Sequence, residues 1–83
     1  MTNLWTGTVD THGEYQDLAT LSSLTFSSGT KYLIQIVGKG YLREGTEGEG
    51  FFIENSTPVE YVAGNEDLYI RTHYPSCKVN IAS

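Results

Sequence analysis

Apolar and polar residues alternate throughout the last third of the chain, residues 50–83. Four short runs carry the alternation, and the gaps between them hold the Asn, Ser, Pro, Gly and Asp residues that turns require. Because successive side chains leave opposite faces of a strand, the pattern predicts antiparallel strands with one buried face. The four runs are residues 51–54, Val59–Val62, Leu68–Thr72 and residues 78–82.

The segment Lys31–Val37, KYLIQIV, is the strongest single strand in the sequence. It is rich in β-branched and aromatic residues and has turn residues on both sides. Both of its faces are largely apolar, which predicts a central strand covered on both sides, by a second sheet or by another subunit.

The remaining segments are also mostly extended in pattern. Residues 4–9 alternate as a first strand that Trp5 anchors, and residues 14–21 continue an extended pattern with room for one short helical turn. Residues 45–50 form an acidic, glycine-rich segment that predicts a flexible loop. We therefore predict one all-β domain over residues 1–83, a small antiparallel β-sandwich or jelly-roll-like barrel of seven or eight short strands.

Charge and composition exclude several classes of protein. Five Lys and Arg against ten Asp and Glu give a net charge of −5, which argues against binding to a nucleic acid backbone. The N-terminus lacks the pattern of a signal peptide, and no apolar run reaches membrane-spanning length, so we expect neither secretion nor a membrane partner. The single cysteine forbids an intrachain disulfide. Oligomerisation is then the remaining common way to stabilise so small a β domain.

Two acidic clusters have spacings that metal ligands can use. Asp10, His12 and Glu14 alternate and would share one face of a strand, but Gly13 interrupts that geometry and favours a solvated turn. Three glutamates between residues 44 and 49 could hold calcium, although their spacing matches no calcium loop. We predict no metal site and no cofactor.

Cys77 is the one candidate nucleophile, with His73 close to it in sequence. Nucleophilic catalysis needs a lowered thiol pKa and a positioned base. The apolar strand around Cys77 favours a packed thiol instead. We find no catalytic triad or phosphate-binding loop, and we predict no catalytic residue.

Aromatic residues exceed what so small a core can bury. The chain has six Tyr, three Phe and one Trp, and we expect some of these rings to face a partner. The predicted interface or ligand-contact residues combine the aromatic surplus with the apolar strand and one arginine. They are Trp5, Tyr32, Ile34, Ile36, Tyr41, Tyr69, Arg71 and Tyr74.

The last third also resembles a known group of proteins. The segment Thr57-Pro58-Val59-Glu60-Tyr61, followed by residues 67–71 and 78–82, is similar to small structural proteins of tailed bacteriophages, of the head-decoration, head-fibre and adaptor-like kinds. The resemblance implies a homotrimer or other symmetric oligomer that binds the major capsid protein or another virion protein. It also implies that the protein is made in the host cytoplasm, resides in the virion and has no active site.

Two other functions fit the same residues. A carbohydrate-binding module would stack sugar rings on coplanar, exposed aromatic side chains of one sheet face. A small anti-defence inhibitor or sponge would enclose its ligand in a pocket at a subunit junction. The aromatic residues that could form the stacking platform are Trp5, Tyr41, Tyr61, Tyr69 and Tyr74.

Overall fold

The computed structural model of the chain describes residues 1–10, 13–73 and 76–83, and eight strands and one short helix lie in these ranges. The chain is therefore almost entirely β, as predicted. The elements are β1 (Asn3–Val9), β2 (Gln16–Asp17), α1 (Leu18–Ser22), β3 (Lys31–Val37), β4 (Gly40–Glu44), β5 (Phe51–Ile53), β6 (Val59–Val62), β7 (Leu68–Thr72) and β8 (Cys77–Ala82).

The strands form two antiparallel four-stranded sheets. Sheet A has the order β1-β8-β3-β6, and sheet B has the order β2-β7-β4-β5. Four of the strand pairs are those of one long hairpin: β1 with β8, β2 with β7, β3 with β6, and β4 with β5. Two more pairs, β8 with β3 and β7 with β4, fold this hairpin into the two four-stranded sheets. This strand order defines a jelly roll, so the predicted antiparallel sandwich of seven or eight strands is confirmed.

Residues 14–21 contain both an extended part and a short helical turn, as the sequence allowed. The strand β2 ends at Asp17, and the five-residue helix α1 follows it directly. The Asp17 carboxylate accepts a hydrogen bond from the Ala19 backbone N–H at 3.0 Å, which caps the helix. The last two strands are consecutive in the sequence but lie in opposite sheets, β7 in sheet B and β8 in sheet A.

The core lies between the two sheets and corrects the expected role of β3. Tyr32, Ile34 and Ile36 are only 4%, 0% and 0% exposed, so they are core residues of this chain and not contacts to another subunit. The opposite face of β3 is only partly covered, and Val37 at its end is 42% exposed. The other buried apolar residues are Val9, Leu18, Leu42, Ile53, Ala63, Leu68, Ile70, Cys77, Val79 and Ile81.

The outer face of sheet A carries a chain of side-chain hydrogen bonds across its strands. Asn3 donates to Thr6 at 3.1 Å, and the Thr6 hydroxyl donates to Asn80 at 2.8 Å. Asn80 donates to Gln35 at 2.9 Å, and Gln35 donates to the Ser56 carbonyl at 2.7 Å. These polar groups satisfy one another within the chain.

The two long sides of the sandwich are closed to different extents. On one side α1 contacts β1, β2 and β7, and its first residue, Leu18, is fully buried. On the other side β5 and β6, the outermost strands of their sheets, flank an open groove of about 610 Å³. The apolar residues that line this groove are Leu42, Phe51, Phe52, Ile53, Val59, Tyr61 and Leu68.

Candidate functional site

The outer face of sheet B carries a repeated tripeptide, Tyr-apolar-Arg. It occurs on β4 as Tyr41-Leu42-Arg43 and on β7 as Tyr69-Ile70-Arg71. The apolar residue at the centre of each tripeptide points into the core, so the flanking tyrosine and arginine point outward.

The sheet register brings the two tripeptides together in opposite directions. Tyr41 pairs with Arg71, and Arg43 pairs with Tyr69. Each tyrosine therefore lies beside the arginine of the other strand. The guanidinium carbon of Arg71 is 4.3 Å from the centre of the Tyr41 ring, and that of Arg43 is 5.5 Å from the centre of the Tyr69 ring. Both distances are in the range of cation–π contacts.

Two further aromatic residues extend this surface. Tyr15, just before β2, lies under both arginines, with ring-centre distances of 3.9 Å to Arg43 and 5.2 Å to Arg71. Phe52 on β5 packs against Tyr41 at 5.1 Å between ring centres and is 47% exposed. We call this surface the Tyr/Arg face. It comprises Tyr15, Tyr41, Arg43, Phe52, Tyr69 and Arg71.

The Tyr/Arg face concentrates positive charge on an acidic protein. It holds both arginines of the chain, and within the described residues neither guanidinium is paired with a carboxylate. Arg43 instead donates to the carbonyls of Gly45 and Gly48, at 3.0 and 3.3 Å. Stacking on tyrosine rings holds such side chains in place and leaves charge available to a ligand.

The loop 45–50 is fastened to the edge of the Tyr/Arg face. Besides the two Arg43 hydrogen bonds, the Tyr15 hydroxyl donates to the carbonyl of Glu49. Gly50 has φ of +80°, and a Cβ there would lie 2.5 Å from the Tyr15 hydroxyl, so the position requires glycine. Burial raises the pKa of Tyr15 above its ordinary value, although Arg71 and Arg43 act in the opposite direction.

The structure brings three of the predicted contact residues together on this face: Tyr41, Tyr69 and Arg71. Trp5 is elsewhere, half-buried against the core, and its ring occupies the space that a Cβ on Gly7 would need. Tyr74 lies outside the described residues. Sequence reasoning missed Tyr15, Arg43 and Phe52. The repeated Tyr-apolar-Arg tripeptide was the available signal for Arg43.

Cys77 and the clusters of possible metal ligands can be compared with the described residues. Cys77 is buried, as predicted, and its thiol contacts the Lys39 carbonyl at 3.8 Å. Across residues 1–10, 13–73 and 76–83, no three His, Cys, Asp or Glu side chains come together as a metal site. His12, one member of the weighed acidic cluster, is outside those ranges. The same residues contain no helix long and apolar enough to span a membrane.

The fold and the face together define a jelly-roll protein with an aromatic and cationic surface on one sheet. Comparison with known proteins adds no family to this description: no family model, no curated protein and no solved structure matches the chain.

Proposed function

We propose that the protein is a non-enzymatic structural subunit that binds another protein through its Tyr/Arg face, and that it serves as a capsid decoration or head-fibre subunit of a phage virion. The observation that carries the proposal is the Tyr/Arg face itself, whose two guanidinium groups lie among aromatic rings and have no carboxylate partner within the described residues.

The composition of this face is that of a protein contact surface. Tyrosine and arginine are enriched among the residues that contribute most to binding at protein interfaces, whereas lysine and glutamate are depleted there. Arg71 and Arg43 are half-buried and lie against tyrosine rings before any partner arrives. Binding then costs less side-chain entropy than it would for two free arginines.

The two sheets differ in what they offer a partner. At the centre of its outer face, sheet A joins Thr6, Asn80 and Gln35 in hydrogen bonds of its own, which run from Asn3 to Ser56. Sheet B presents aromatic area and charge without a carboxylate partner in the described residues. A partner that supplies carboxylates and apolar contacts would therefore gain more from sheet B.

The virion setting rests on analogy. Jelly rolls are common among viral capsid proteins, and the resemblance of residues 50–83 to phage structural proteins points the same way. Since one fold hosts many functions, the fold supports this setting only as analogy. Many copies on a symmetric shell would multiply a weak contact into firm attachment.

A carbohydrate-binding module is the second candidate, because jelly rolls also include lectin domains and the aromatic residues lie on one sheet face. Its expected sign is a set of coplanar exposed rings. The Tyr41 and Phe52 rings are instead tilted by 47° to each other, and the Phe52 and His73 rings by 63°. Such a surface is a poorer platform for a flat sugar ring than for an irregular protein partner.

The test measures whether the protein occurs in virus particles and whether the Tyr/Arg face attaches it there. Quantitative mass spectrometry of purified particles is expected to give a copy number that matches a symmetric set of capsid positions. The double variant Arg43→Gln/Arg71→Gln should reduce that copy number at least tenfold. The matched control, Lys31→Gln/Lys78→Gln, removes the same charge from sheet A and should leave it unchanged.

Two results would contradict the proposal. The first is absence of the protein from particles, and the second is equal incorporation of the two double variants. A glycan array then decides the second candidate, because glycan binding that Tyr41→Ala abolishes would support the carbohydrate-binding function.

A further inference from the structure

Three of the four outermost strands of the sandwich carry a feature that discourages pairing with another chain. On β1 the register shifts between Asn3 and Trp5. β2 has only two residues and lies beside α1, and β5 has only three residues. Irregular register, short length and covering elements are the means by which native sheets protect their edges.

The fourth edge, β6, lacks such protection. It has four residues, Val59–Val62, in regular register with β3, and Glu60 is its single charged residue. Val62 is 55% exposed, and β3 is the one strand paired with β6 among the described residues. The apolar groove of about 610 Å³ lies directly beside it. Such an edge is a template for another strand.

We propose that β6 pairs with β6 of a second copy of the chain, antiparallel, about a two-fold axis that passes midway between the two Tyr61 residues. A second copy fits because the strand is complementary to itself, as a two-fold interface requires. The pairing edge belongs to sheet A and the Tyr/Arg face to sheet B, and the two surfaces meet at the groove, which Arg43 and Phe52 of that face also line.

Side-chain direction and charge select the register. Val59 and Tyr61 point inward, whereas Glu60 and Val62 point outward. In a continuous sheet, an inward residue of one copy must therefore lie opposite an inward residue of the other copy, and an outward residue opposite an outward one. One register that meets this condition places Glu60 opposite Glu60 of the other copy, which like-charge repulsion disfavours. The next register places Tyr61 opposite Tyr61 and Glu60 opposite Val62. This register removes the repulsion between the two Glu60 carboxylates. It also keeps the inner faces of the two β6 strands on the same side of the joined sheet.

The pairing would also cover the apolar surface at the open side of the sandwich. Val59 and Tyr61 line the groove beside β6, and Phe51 across the groove is 79% exposed. In the selected register the other copy's β6 adds a fifth strand to sheet A, which lengthens the wall of the groove. Glu60 keeps its own contact with Lys31, whose Nζ lies 3.8 Å from the carboxylate.

The first test is the mass of the purified protein by sedimentation equilibrium. A dimer is expected for the natural sequence, and Val62→Lys should convert it to a monomer, because an edge lysine opposes strand pairing. Leu4→Lys is the matched control. It places the same charge at a 41% exposed position on β1, the other edge of sheet A, and should remain dimeric.

The second test reads the register by cysteine cross-linking. Directly opposed residues have Cα atoms about 4.5–5.5 Å apart, within disulfide range. A size-tagged Glu60→Cys variant mixed with Val62→Cys should form a disulfide-linked pair of the two variants. Each variant alone should not, because the equivalent cysteines would be staggered by two residues, about 7 Å along the strands. Leu4→Cys mixed with either variant is the control.

Several outcomes would overturn the proposal. A monomer at the highest soluble concentration would do so, as would a dimer that Val62→Lys leaves intact. A trimer would also overturn it and would favour the oligomer implied by the phage resemblance. None of these outcomes depends on particle attachment, so failure here and failure of the proposed function can be told apart.

Discussion

Replacement of Ile34 by alanine is the perturbation for which the structure allows the firmest estimate. Ile34 is 0% exposed and lies on the inner face of β3, opposite Val59 of β6 and Ile81 of β8. Alanine removes three carbon atoms, worth about 2.4 kcal/mol at about 0.8 kcal/mol for each buried methylene. The cavity that remains adds to this cost, so we expect a loss of about 3 kcal/mol, within the usual range of about 2–5 kcal/mol.

This loss is a large share of the total for a chain of 83 residues. At about 0.05–0.15 kcal/mol per residue, the free energy of unfolding is about 4–12 kcal/mol. A loss of about 3 kcal/mol should lower the Tm by about 12–24 °C in a domain of this size. Thermal unfolding followed by circular dichroism, together with urea unfolding, measures both quantities.

Val37→Ala is the matched control, because Val37 is on the same strand but points outward and is 42% exposed. It should cost less than about 1 kcal/mol. The reasoning is refuted if Ile34→Ala shifts the urea midpoint by no more than Val37→Ala. That result would mean that the inner face of β3 is not the centre of the core.

Two further predictions concern tyrosine hydroxyls. Tyr15→Phe removes the hydrogen bond to the Glu49 carbonyl, so cleavage by a Glu-specific protease after Glu47 and Glu49 should accelerate about fivefold, the equivalent of about 1 kcal/mol. Tyr41→Phe is the control, and equal acceleration would contradict the prediction. Burial raises the folded-state pKa of Tyr15 and Tyr61, so the unfolded state loses these protons first and alkaline pH favours unfolding. The free energy of unfolding should be steady below pH about 9 and fall as the pH rises past about 10. The double variant Tyr15→Phe/Tyr61→Phe should show a smaller fall. A free energy of unfolding that rises over this pH range would contradict the prediction.

Much of the fold could be predicted because local pattern and tertiary burial agree. Val59–Val62, Leu68–Thr72 and Lys31–Val37 have the predicted bounds, and Leu68, Ile70 and Thr72 are buried as their alternation indicated. The pattern could not reveal which strands pair. The turn residues after β7 signal the end of a strand, and they do not distinguish a hairpin from a crossing to the other sheet.

The candidate site was predictable only in part for the same reason. Tyr41, Tyr69 and Arg71 were identified as aromatic or charged residues on strands, but their meeting depends on the register of β4 against β7. Tyr15 joins them through the β2·β7 pairing and Phe52 through the β4·β5 pairing. Tyr32, Ile34 and Ile36 were misassigned because an apolar strand face looks the same whether its own second sheet or another subunit covers it.

The position of β8 in sheet A determines when the chain can fold. β8 lies between β1 and β3, so Val9 at the end of β1 pairs with Cys77 and Ile34 in the middle of β3 pairs with Ile81. β1 therefore leaves the ribosome before the strand with which it pairs, and this pairing must wait until β8 has emerged from the exit tunnel. Pairing so distant in sequence places the chain among slow-folding topologies, with folding times of about milliseconds to seconds. A nascent chain that stalls before β8 leaves β1 without the strand that pairs with it in the described residues. Chaperones would then meet a sheet A in which β1 and β3 are not yet joined.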